Sequence, residues 1–348
     1  MTKKTKMTTK TNSFVVHYPD AISNSREQIK IFWTDEEIKV DKDVHDILTN
    51  FSESERHATI TVLKLFTLYE LKAGADYWLG RFMRTYPRPE LQRMAATFGF
   101  FELAVHKPFY NKINEALHLN TDEFYESYIN DPILKERMDF IDSCISSKDD
   151  LFSVGTFSMV EGGILYSAFA FLKHFQSKGK NKLLNVVRGI NFSVRDEARH
   201  SEGGAWAYRQ HKKELKLTKD EITVLEQKIK DAALKIYEHE CRIIDMMWEK
   251  GDIPGISKES LKIFVSSRLN ICLQNLEIEP IFIINEEENT IATWFYDSIN
   301  KYVFNDFFSG QGREYNRNWD QSGFVWKGSE WVIFIKNLAK SESVYKQK

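Results

Sequence analysis

Residues 157–172 form the stretch FSMVEGGILYSAFAFL, which decides the fold class. It is apolar on almost every face of a helix, yet it contains one acidic residue, Glu161. A helix that is apolar all round lies inside a protein, and this stretch is shorter than the roughly 20 residues that cross a membrane. Because a lone buried carboxylate costs several kcal/mol unless it is paired or binds a metal, Glu161 is the first candidate functional residue.

Two further glutamates lie in the same kind of setting on other predicted helices. Glu70 lies in LFTLYELKAG and Glu102 in FGFFELAVH, where most neighbours are apolar. One such residue would most often be a glutamate at a helix end or on the surface. Three of them on three separate helices weaken that interpretation and favour a shared buried site.

Two Glu–His pairs strengthen the case for a metal site. Glu197 and His200 are three residues apart and Glu102 and His106 four apart, and both spacings keep the two side chains on one helical face. A dinuclear site in a four-helix bundle takes one carboxylate from each of two helices and a Glu–His pair from each of the other two. Single glutamates and pairs alternate in that way here. Oxygen ligands with one imidazole per metal favour iron or manganese.

The remaining sequence predicts a mainly all-α protein. Ser52 and Glu55 form a capping-box signature, and a second helix should begin near Pro89 and be kinked at Pro108. No stretch shows the two-residue alternation of a strand. We expect a flexible tail over residues 1–25, one helical bundle over 26–308 and a C-terminal tail over 309–348. Further helices are predicted over 131–145, 152–177, 180–212, 218–248 and 257–277.

Composition excludes several classes of protein. The chain has 348 residues, with 48 basic and 50 acidic side chains and a net charge of -2, so no basic excess indicates nucleic-acid binding. Its three cysteines are far apart and include no Cys-x-x-Cys pair, which argues against a disulfide framework or a thiolate metal site. We expect a cytoplasmic protein that binds neither nucleic acid nor membrane.

Between about residues 32 and 315, the chain resembles the radical-generating small (β) subunit of class I ribonucleotide reductase. The most specific matching segments are RDEARH and NDFFSGQGREY. The full set of matching segments is Phe32–Trp33, Thr67–Glu70, Glu102–Tyr110, Val160–Gly163, Arg195–His200 and Asn305–Tyr315.

This resemblance implies a ferritin-like helical bundle with a dinuclear metal site between four core helices, and a homodimer. In that family the metals and oxygen produce a stable one-electron oxidant. The oxidant is lent to a separate large catalytic subunit, which reduces ribonucleotides to the deoxyribonucleotides needed for DNA replication. The chain would therefore be an oxidoreductase, the small subunit of ribonucleoside-diphosphate reductase, with two metal ions as its cofactor.

The resemblance also implies roles for individual residues. Tyr110 falls on the radical tyrosine, and Trp33, Asp196 and Tyr315 fall on positions that relay electrons and protons to the partner subunit. Without the resemblance, Tyr110 is an ordinary core tyrosine and Trp33 an aromatic anchor where a helix starts. Leu165 and Phe169 would belong to the apolar pocket around the radical; the six metal-ligand positions correspond to Glu70, Glu102, His106, Glu161, Glu197 and His200.

Three departures from the family pattern affect these expectations. Glu70 stands where most members have Asp, so iron is expected but manganese or a mixed site stays open. The four-residue spacing of Glu102 and His106 predicts a local helix bulge or a shifted ligand. Ser193 is polar where an apolar residue usually lines the radical pocket.

Two other functions fit parts of the pattern. A ferritin-like dimetal oxidase or hydroxylase acting directly on a small molecule would keep the ligands. It would lack Trp33, Asp196 and Tyr315 as a connected set, and it would have a substrate cavity beside the metals. A metal-free helical scaffold protein would instead place Glu70, Glu102 and Glu161 at helix surfaces.

Overall fold

The computed structural model describes residues 4–177, 179–285 and 287–296, and over these residues helices are the only regular secondary structure. The all-α prediction is therefore confirmed. Helix α1 spans Pro19–Lys30 and α2 spans Glu53–Leu65. Helix α3 consists of Tyr69–Leu71, a π-helical segment Lys72–Phe82 and Met83–Thr85. Helix α4 consists of Pro89–Phe101, a π-helical segment Glu102–His106 and Lys107–Ala116.

Apart from one short helix over 122–130 that was not predicted, the second half of the bundle follows the predicted helices closely. Its helices are α5 (Asp122–Asn130), α6 (Pro132–Ser146), α7 (Asp150–Gly163), α8 (Tyr166–His174), α9 (Leu184–Leu215), α10 (Lys219–Met247) and α11 (Lys258–Asn275). The predicted helix over 152–177 is divided into α7 and α8 by a short break after Gly163.

Local sequence explains where several helices begin. The Ser52 hydroxyl accepts from the Glu55 amide at 3.2 Å, and the Glu55 carboxylate accepts from the Ser52 amide at 2.8 Å, as a capping box requires. Pro89 lies in the first turn of α4, where a missing amide hydrogen costs nothing. Pro108 is the second residue after the π-helical segment Glu102–His106 and lies in the first turn of the α-helical part that follows.

Helices α7 and α9 form the centre of the bundle. Their backbones are clasped by two reciprocal bonds of 2.8 Å, from Ser158 Oγ to the Ser201 carbonyl and from Ser201 Oγ to the Ser158 carbonyl. A Cβ atom on Gly162 would lie 2.4 Å from Ser201 Oγ, so glycine is needed for this close approach. Residues 150–174 are long and apolar enough to cross a membrane, but the most apolar window is entirely buried in the protein. They therefore form the core of the bundle.

The N-terminal stretch differs from the flexible tail expected over residues 1–25. Met7 is fully buried and its amide donates to Glu214 at 3.0 Å. The hydroxyl of Tyr18 also donates to Glu214, at 2.5 Å, and α1 begins at Pro19. Contacts made by Met7 and Tyr18 with α9, far away in the sequence, hold this segment on the bundle. The expected C-terminal tail over 309–348 lies outside the described residues.

Candidate metal centre

Four helices bring all six predicted ligands together in the bundle core. Helix α3 supplies Glu70, α7 supplies Glu161, and α4 and α9 supply one Glu–His pair each. Each of the six side chains is at most 1% exposed. Their ligand atoms form two groups, each with all atoms within 4.8 Å of one another, and Glu102 and Glu197 belong to both. The two shared glutamates are therefore placed to bridge two metal ions.

The first half of the centre is formed around His106. Its Nδ1 lies 3.1 Å from Glu102 Oε2, 3.3 Å from Glu197 Oε1 and 3.7 Å from Glu70 Oε2. Its Nε2 lies 3.1 Å from Asp196 Oδ2. One ring nitrogen thus faces the carboxylates of the centre while the other is held by a carboxylate outside it, as is usual for a metal-binding histidine.

The second half is formed around His200 and Glu161. His200 Nδ1 lies 2.5 Å from Glu102 Oε1 and 3.6 Å from Glu197 Oε2. Glu161 is held by neutral donors: Trp78 Nε1 donates to Oε1 at 2.6 Å and the Tyr69 hydroxyl donates to Oε2 at 3.1 Å. Both donors are buried, so they fix the direction of this carboxylate.

The donor set fits two divalent metal ions. Among the described residues, the two carboxylate oxygens of Glu70, the two of Glu197 and Nε2 of His200 have no hydrogen-bond partner. Buried polar atoms rarely lack a partner. The four carboxylates supply hard oxygen ligands, and the two imidazoles supply one nitrogen ligand for each metal. Iron and manganese are bound by this combination of ligands in helical bundles.

The pKa shifts of the ligand side chains also support a site for cations. Burial, together with the neighbouring Glu102, raises the pKa of Glu70 well above its ordinary value. Burial alone would lower the pKa of His200, but the charges and hydrogen bonds of Glu102 and Glu197 together outweigh burial and raise this pKa to about 9. Without metal the centre therefore holds extra protons on its ligands, and cations that bind there displace them.

The four-residue spacing of the first pair is explained by the backbone. Glu102–His106 is a π-helical segment, which contains one more residue per turn than the same stretch of α-helix would. His106 thereby returns to the side of Glu102, as His200 does to Glu197 in the regular α9. The predicted bulge is confirmed.

Tyr110 lies one turn beyond His106 in an apolar pocket. It is 2% exposed, and its ring stacks on Phe66 with a centroid distance of 4.1 Å and an interplanar angle of 11°. Phe169 stacks on the far side of Phe66 at 5.8 Å. Burial raises the pKa of Tyr110 well above its ordinary value, and the nearby hydroxyl of Ser193 opposes this shift. The phenol is therefore neutral and shielded from water.

Trp33 and Asp196 are joined directly to the first half of the centre. Trp33 Nε1 donates to Asp196 Oδ2 at 2.7 Å, and the indole stacks near His106 with a centroid distance of 6.0 Å. Gln28 Nε2 donates to Asp196 Oδ1 at 2.9 Å. A continuous set of contacts thus runs from His106 through Asp196 to Trp33. Tyr315 lies outside the described residues.

Several residues of the site were not anticipated from the sequence. Trp78 and Tyr69 orient Glu161, Gln28 orients Asp196, and Phe66 covers Tyr110. Each reaches its partner through helix packing rather than through a sequence motif. A buried tryptophan near a predicted ligand helix was the one available signal, but nothing in the sequence connects Trp78 to Glu161.

In both sequence and structure, this chain is similar to known proteins. The family model described as the small chain of ribonucleotide reductase matches residues 10–290. A ribonucleoside-diphosphate reductase subunit beta of Halalkalibacterium halodurans is 26% identical over 311 residues, covering 84% of this chain and 85% of that protein. The protein of the same name from Treponema pallidum is 25% identical over 329 residues, covering 89% of both chains.

Among solved structures, the fold is similar to that of the dimanganese(II)-NrdF of Streptococcus sanguinis. The TM-score is 0.70 at 21% sequence identity, and the match covers 80% of this chain and 96% of that one. The match establishes a shared fold.

Proposed function

This chain belongs to the family of ribonucleotide reductase small chains, and on that premise we propose how it works. As the small subunit of a ribonucleoside-diphosphate reductase, it forms a one-electron oxidant at a dimetal site. It stores that oxidant on Tyr110 and lends it to a large catalytic subunit, which reduces ribonucleotides to deoxyribonucleotides. The observation that carries the proposal is the pair of ligand groups sharing Glu102 and Glu197.

Two bound metal ions supply the oxidising power by reacting with oxygen. Glu70 and His106 would hold one ion, Glu161 and His200 the other, and the shared glutamates would bridge them. We propose iron, because a Glu–His set of this kind holds two iron ions in ferritin-like bundles; the same donor set accepts manganese, the metal of the S. sanguinis protein.

Tyr110 is suited to keep an oxidising equivalent. Its hydroxyl has no hydrogen-bond partner among the described residues, and its ring lies against Phe66 and Phe109, with centroids at 4.1 and 5.1 Å. Its position one turn from His106 keeps it close to the metals. An apolar shell of this kind excludes water and soluble reductants, which would otherwise quench a phenoxyl radical.

The way out of the bundle leads through Trp33. When the indole gives up an electron, the proton on Nε1 can move to Asp196 Oδ2, 2.7 Å away. Gln28 keeps that carboxylate in place. We propose Tyr315 as the next relay toward the large subunit, supported by the sequence match alone. Tyr315→Phe should then keep metal, radical and subunit binding but remove nucleotide reduction.

A homodimer is supported by an exposed apolar face on α1, α3 and α4. Ile29, Leu79 and Phe100 are 52%, 39% and 47% exposed. Phe32 lies against Phe100 at 6.0 Å between ring centroids, and Leu79 packs over Gly99, the residue before Phe100. Patches of this kind mark association surfaces. Phe100→Glu should therefore shift the protein toward monomer in analytical ultracentrifugation.

We propose a cytoplasmic location. Cys144, Cys241 and Cys272 are all free thiols, which suits a reducing compartment. The described residues pack as one bundle whose most apolar helix is internal.

The geometry gives less support to a direct oxidase. The connection from His106 through Asp196 to Trp33 serves an oxidant that is exported rather than used beside the metals.

The decisive experiment is assembly of the purified protein in air with Fe(II), followed by metal quantification and electron paramagnetic resonance spectroscopy. We expect two metals per chain, a tyrosyl signal, and nucleotide reduction once the large subunit is added. Tyr110→Phe should keep the metals and lose the signal. Tyr128→Phe is the matched control, because Tyr128 is equally buried and its hydroxyl also lacks a partner. A signal that survives in Tyr110→Phe would place the radical elsewhere.

A further inference from the structure

Trp78 touches the second half of the metal centre, on the side away from Trp33. Its indole is fully buried and donates to Glu161 Oε1 at 2.6 Å. The indole ring also lies 6.2 Å from the ring of His200. Tryptophan is among the most easily oxidised side chains, and the proposed exit path through Asp196 does not use this one.

Aromatic side chains continue outward from Trp78 along one face of α3. The Trp78 and Phe82 rings lie 5.0 Å apart, and those of Phe82 and Tyr86 lie 4.7 Å apart. These residues are four apart in sequence, so each packs on the next turn of the helix. All three are at most 1% exposed. The row therefore links a buried metal ligand to Tyr86 without an intervening solvent gap.

Tyr86 ends the row at a base. Its hydroxyl lies 3.0 Å from Nδ1 of His211 on α9, and the two rings meet edge to face. Burial lowers the pKa of His211, so the imidazole is neutral and can accept a proton at Nδ1. Burial also raises the pKa of Tyr86 well above its ordinary value. The phenol therefore stays protonated until it loses an electron.

His211 lines a surface cleft of about 830 Å³. Arg84 and Lys228 contribute cationic groups to this cleft, and Asp149 and Glu221 contribute carboxylates. The volume is that of a small-molecule site. His211 itself is 2% exposed, so it separates Tyr86 from solvent while facing a cavity that a small solute can enter.

We propose that Trp78, Tyr86 and His211 form a second redox path, which carries an electron from a small one-electron reductant in the cleft to the oxidised metal–radical centre. This inference rests on the proposed function, because that centre is the oxidant. The exit path through Trp33 serves the partner subunit. The second path restores or discharges the centre without the partner.

An electron leaves Tyr86 and passes through Phe82 and Trp78 to the centre, which is reduced by one electron. The Tyr86 hydroxyl proton moves to His211 Nδ1, so Tyr86 becomes a neutral radical and His211 an imidazolium. The reductant in the cleft then gives one electron to Tyr86, and His211 returns the proton. The net result is one electron moved from the reductant to the centre. Where this electron reduces the Tyr110 radical, the phenolate takes up one proton from the solvent, and ascorbate releases one proton when it is oxidised.

The test follows loss of the tyrosyl signal after ascorbate is added to metal-loaded protein. In Tyr86→Phe the signal should decay at least tenfold more slowly than in the wild-type protein, because phenylalanine keeps the ring but is far harder to oxidise. His211→Gln should slow the decay several-fold, because the base is gone. Tyr208→Phe is the matched control: Tyr208 is buried on α9, one turn before His211, and its hydroxyl has no partner among the described residues. Metal content and initial radical yield verify that each variant is folded.

Equal decay rates in Tyr86→Phe, His211→Gln and wild-type protein would overturn the path. Slower decay in Trp33→Phe alone would show that the electron enters by the exit path, and would overturn it equally. If metal-loaded wild-type protein forms no tyrosyl radical, the proposed function fails on that point separately. In that case the reduction of the ferric ions by ascorbate is followed by absorbance in the same variants. We expect the same order of rates, and equal rates would refute the path.

Discussion

The two halves of the metal centre use the same ligand types on different backbones. Around His106, the ligands lie in or near π-helical segments: Glu70 lies two residues before the segment Lys72–Phe82, and Glu102 and His106 are the first and last residues of another. Around His200, Glu161 and Glu197 lie on regular α-helix. The protein thus builds two similar coordination groups from helices with different periodicity.

Their surroundings differ as well. His106 is tied through Asp196 to Trp33, and Tyr110 follows it by one turn. His200 faces the rings of Phe98 and Trp78, with centroids at 4.6 and 6.2 Å, and its Nε2 has no partner among the described residues. The first half therefore connects to groups that move charge toward the partner subunit. The second half is bordered by aromatic rings. The row formed by Trp78, Phe82 and Tyr86 begins there and leads away from the metal centre.

The largest loss of bound metal is expected when a glutamate shared by the two halves of the centre is removed. Glu197→Ala removes a carboxylate that both groups share, so we expect both metals to be lost while the helical circular dichroism spectrum is preserved. Metal analysis after assembly measures this directly. Full metal content in this variant would contradict the bridging role.

Removing one terminal glutamate should affect one half only. Glu70→Ala and Glu161→Ala should each bind about half the wild-type amount of metal. Their stabilities should differ, because Glu161→Ala leaves the Trp78 indole and the Tyr69 hydroxyl unpaired, at about 1–3 kcal/mol for each buried group. Glu70 accepts no hydrogen bond among the described residues. Urea unfolding of the metal-free variants compares the two, and equal free energies of unfolding would contradict this difference.

The difference in periodicity can be tested by deletion. Removing Ala104, which is exposed, shortens the first pair to the three-residue spacing of the second. We expect the π-bulge to become α-helix and at least half of the metal to be retained. Removing Ala198 from the regular helix α9 should abolish metal binding, because no extra residue is present there to be absorbed. Equal loss in both deletions would show that the bulge is not an extra residue in an otherwise ordinary helix.

The smallest effect is expected at Ser193, whose hydroxyl opposes the rise that burial causes in the pKa of Tyr110. Ser193→Ala removes a buried hydroxyl that has no hydrogen-bond partner by geometry, so stability should change by less than about 1 kcal/mol. High-field electron paramagnetic resonance should show a small change in the g-values of the tyrosyl signal and unchanged metal content. A g-tensor identical to wild type would mean that this hydroxyl does not interact with the radical.

Periodicity and residue type were enough to predict the fold class, most helices and the cluster of six ligands. Glutamates in apolar helices are costly unless they meet, and helix spacing decides which of them face one side. The bulge at Glu102 could be anticipated because its spacing differs from that of Glu197 and His200.

Other features depend on which helices pack together. The contact of Trp78 with Glu161 joins residues 83 positions apart, and that of Gln28 with Asp196 joins residues 168 apart. The π-helical course of Lys72–Phe82 has no marker in its sequence. The docking of Met7 on Glu214 likewise turned part of an expected tail into a packed segment. These contacts depend on how distant helices pack together, and the local helix propensity of the sequence does not predict that packing.

Anomalous diffraction from crystals of the metal-loaded protein, collected at the absorption edges of iron and manganese, tests most directly whether two metal ions share Glu102 and Glu197. We expect two anomalous peaks per chain, one beside His106 and one beside His200, with the two shared glutamates between them. A single peak, or none among these side chains, would contradict it.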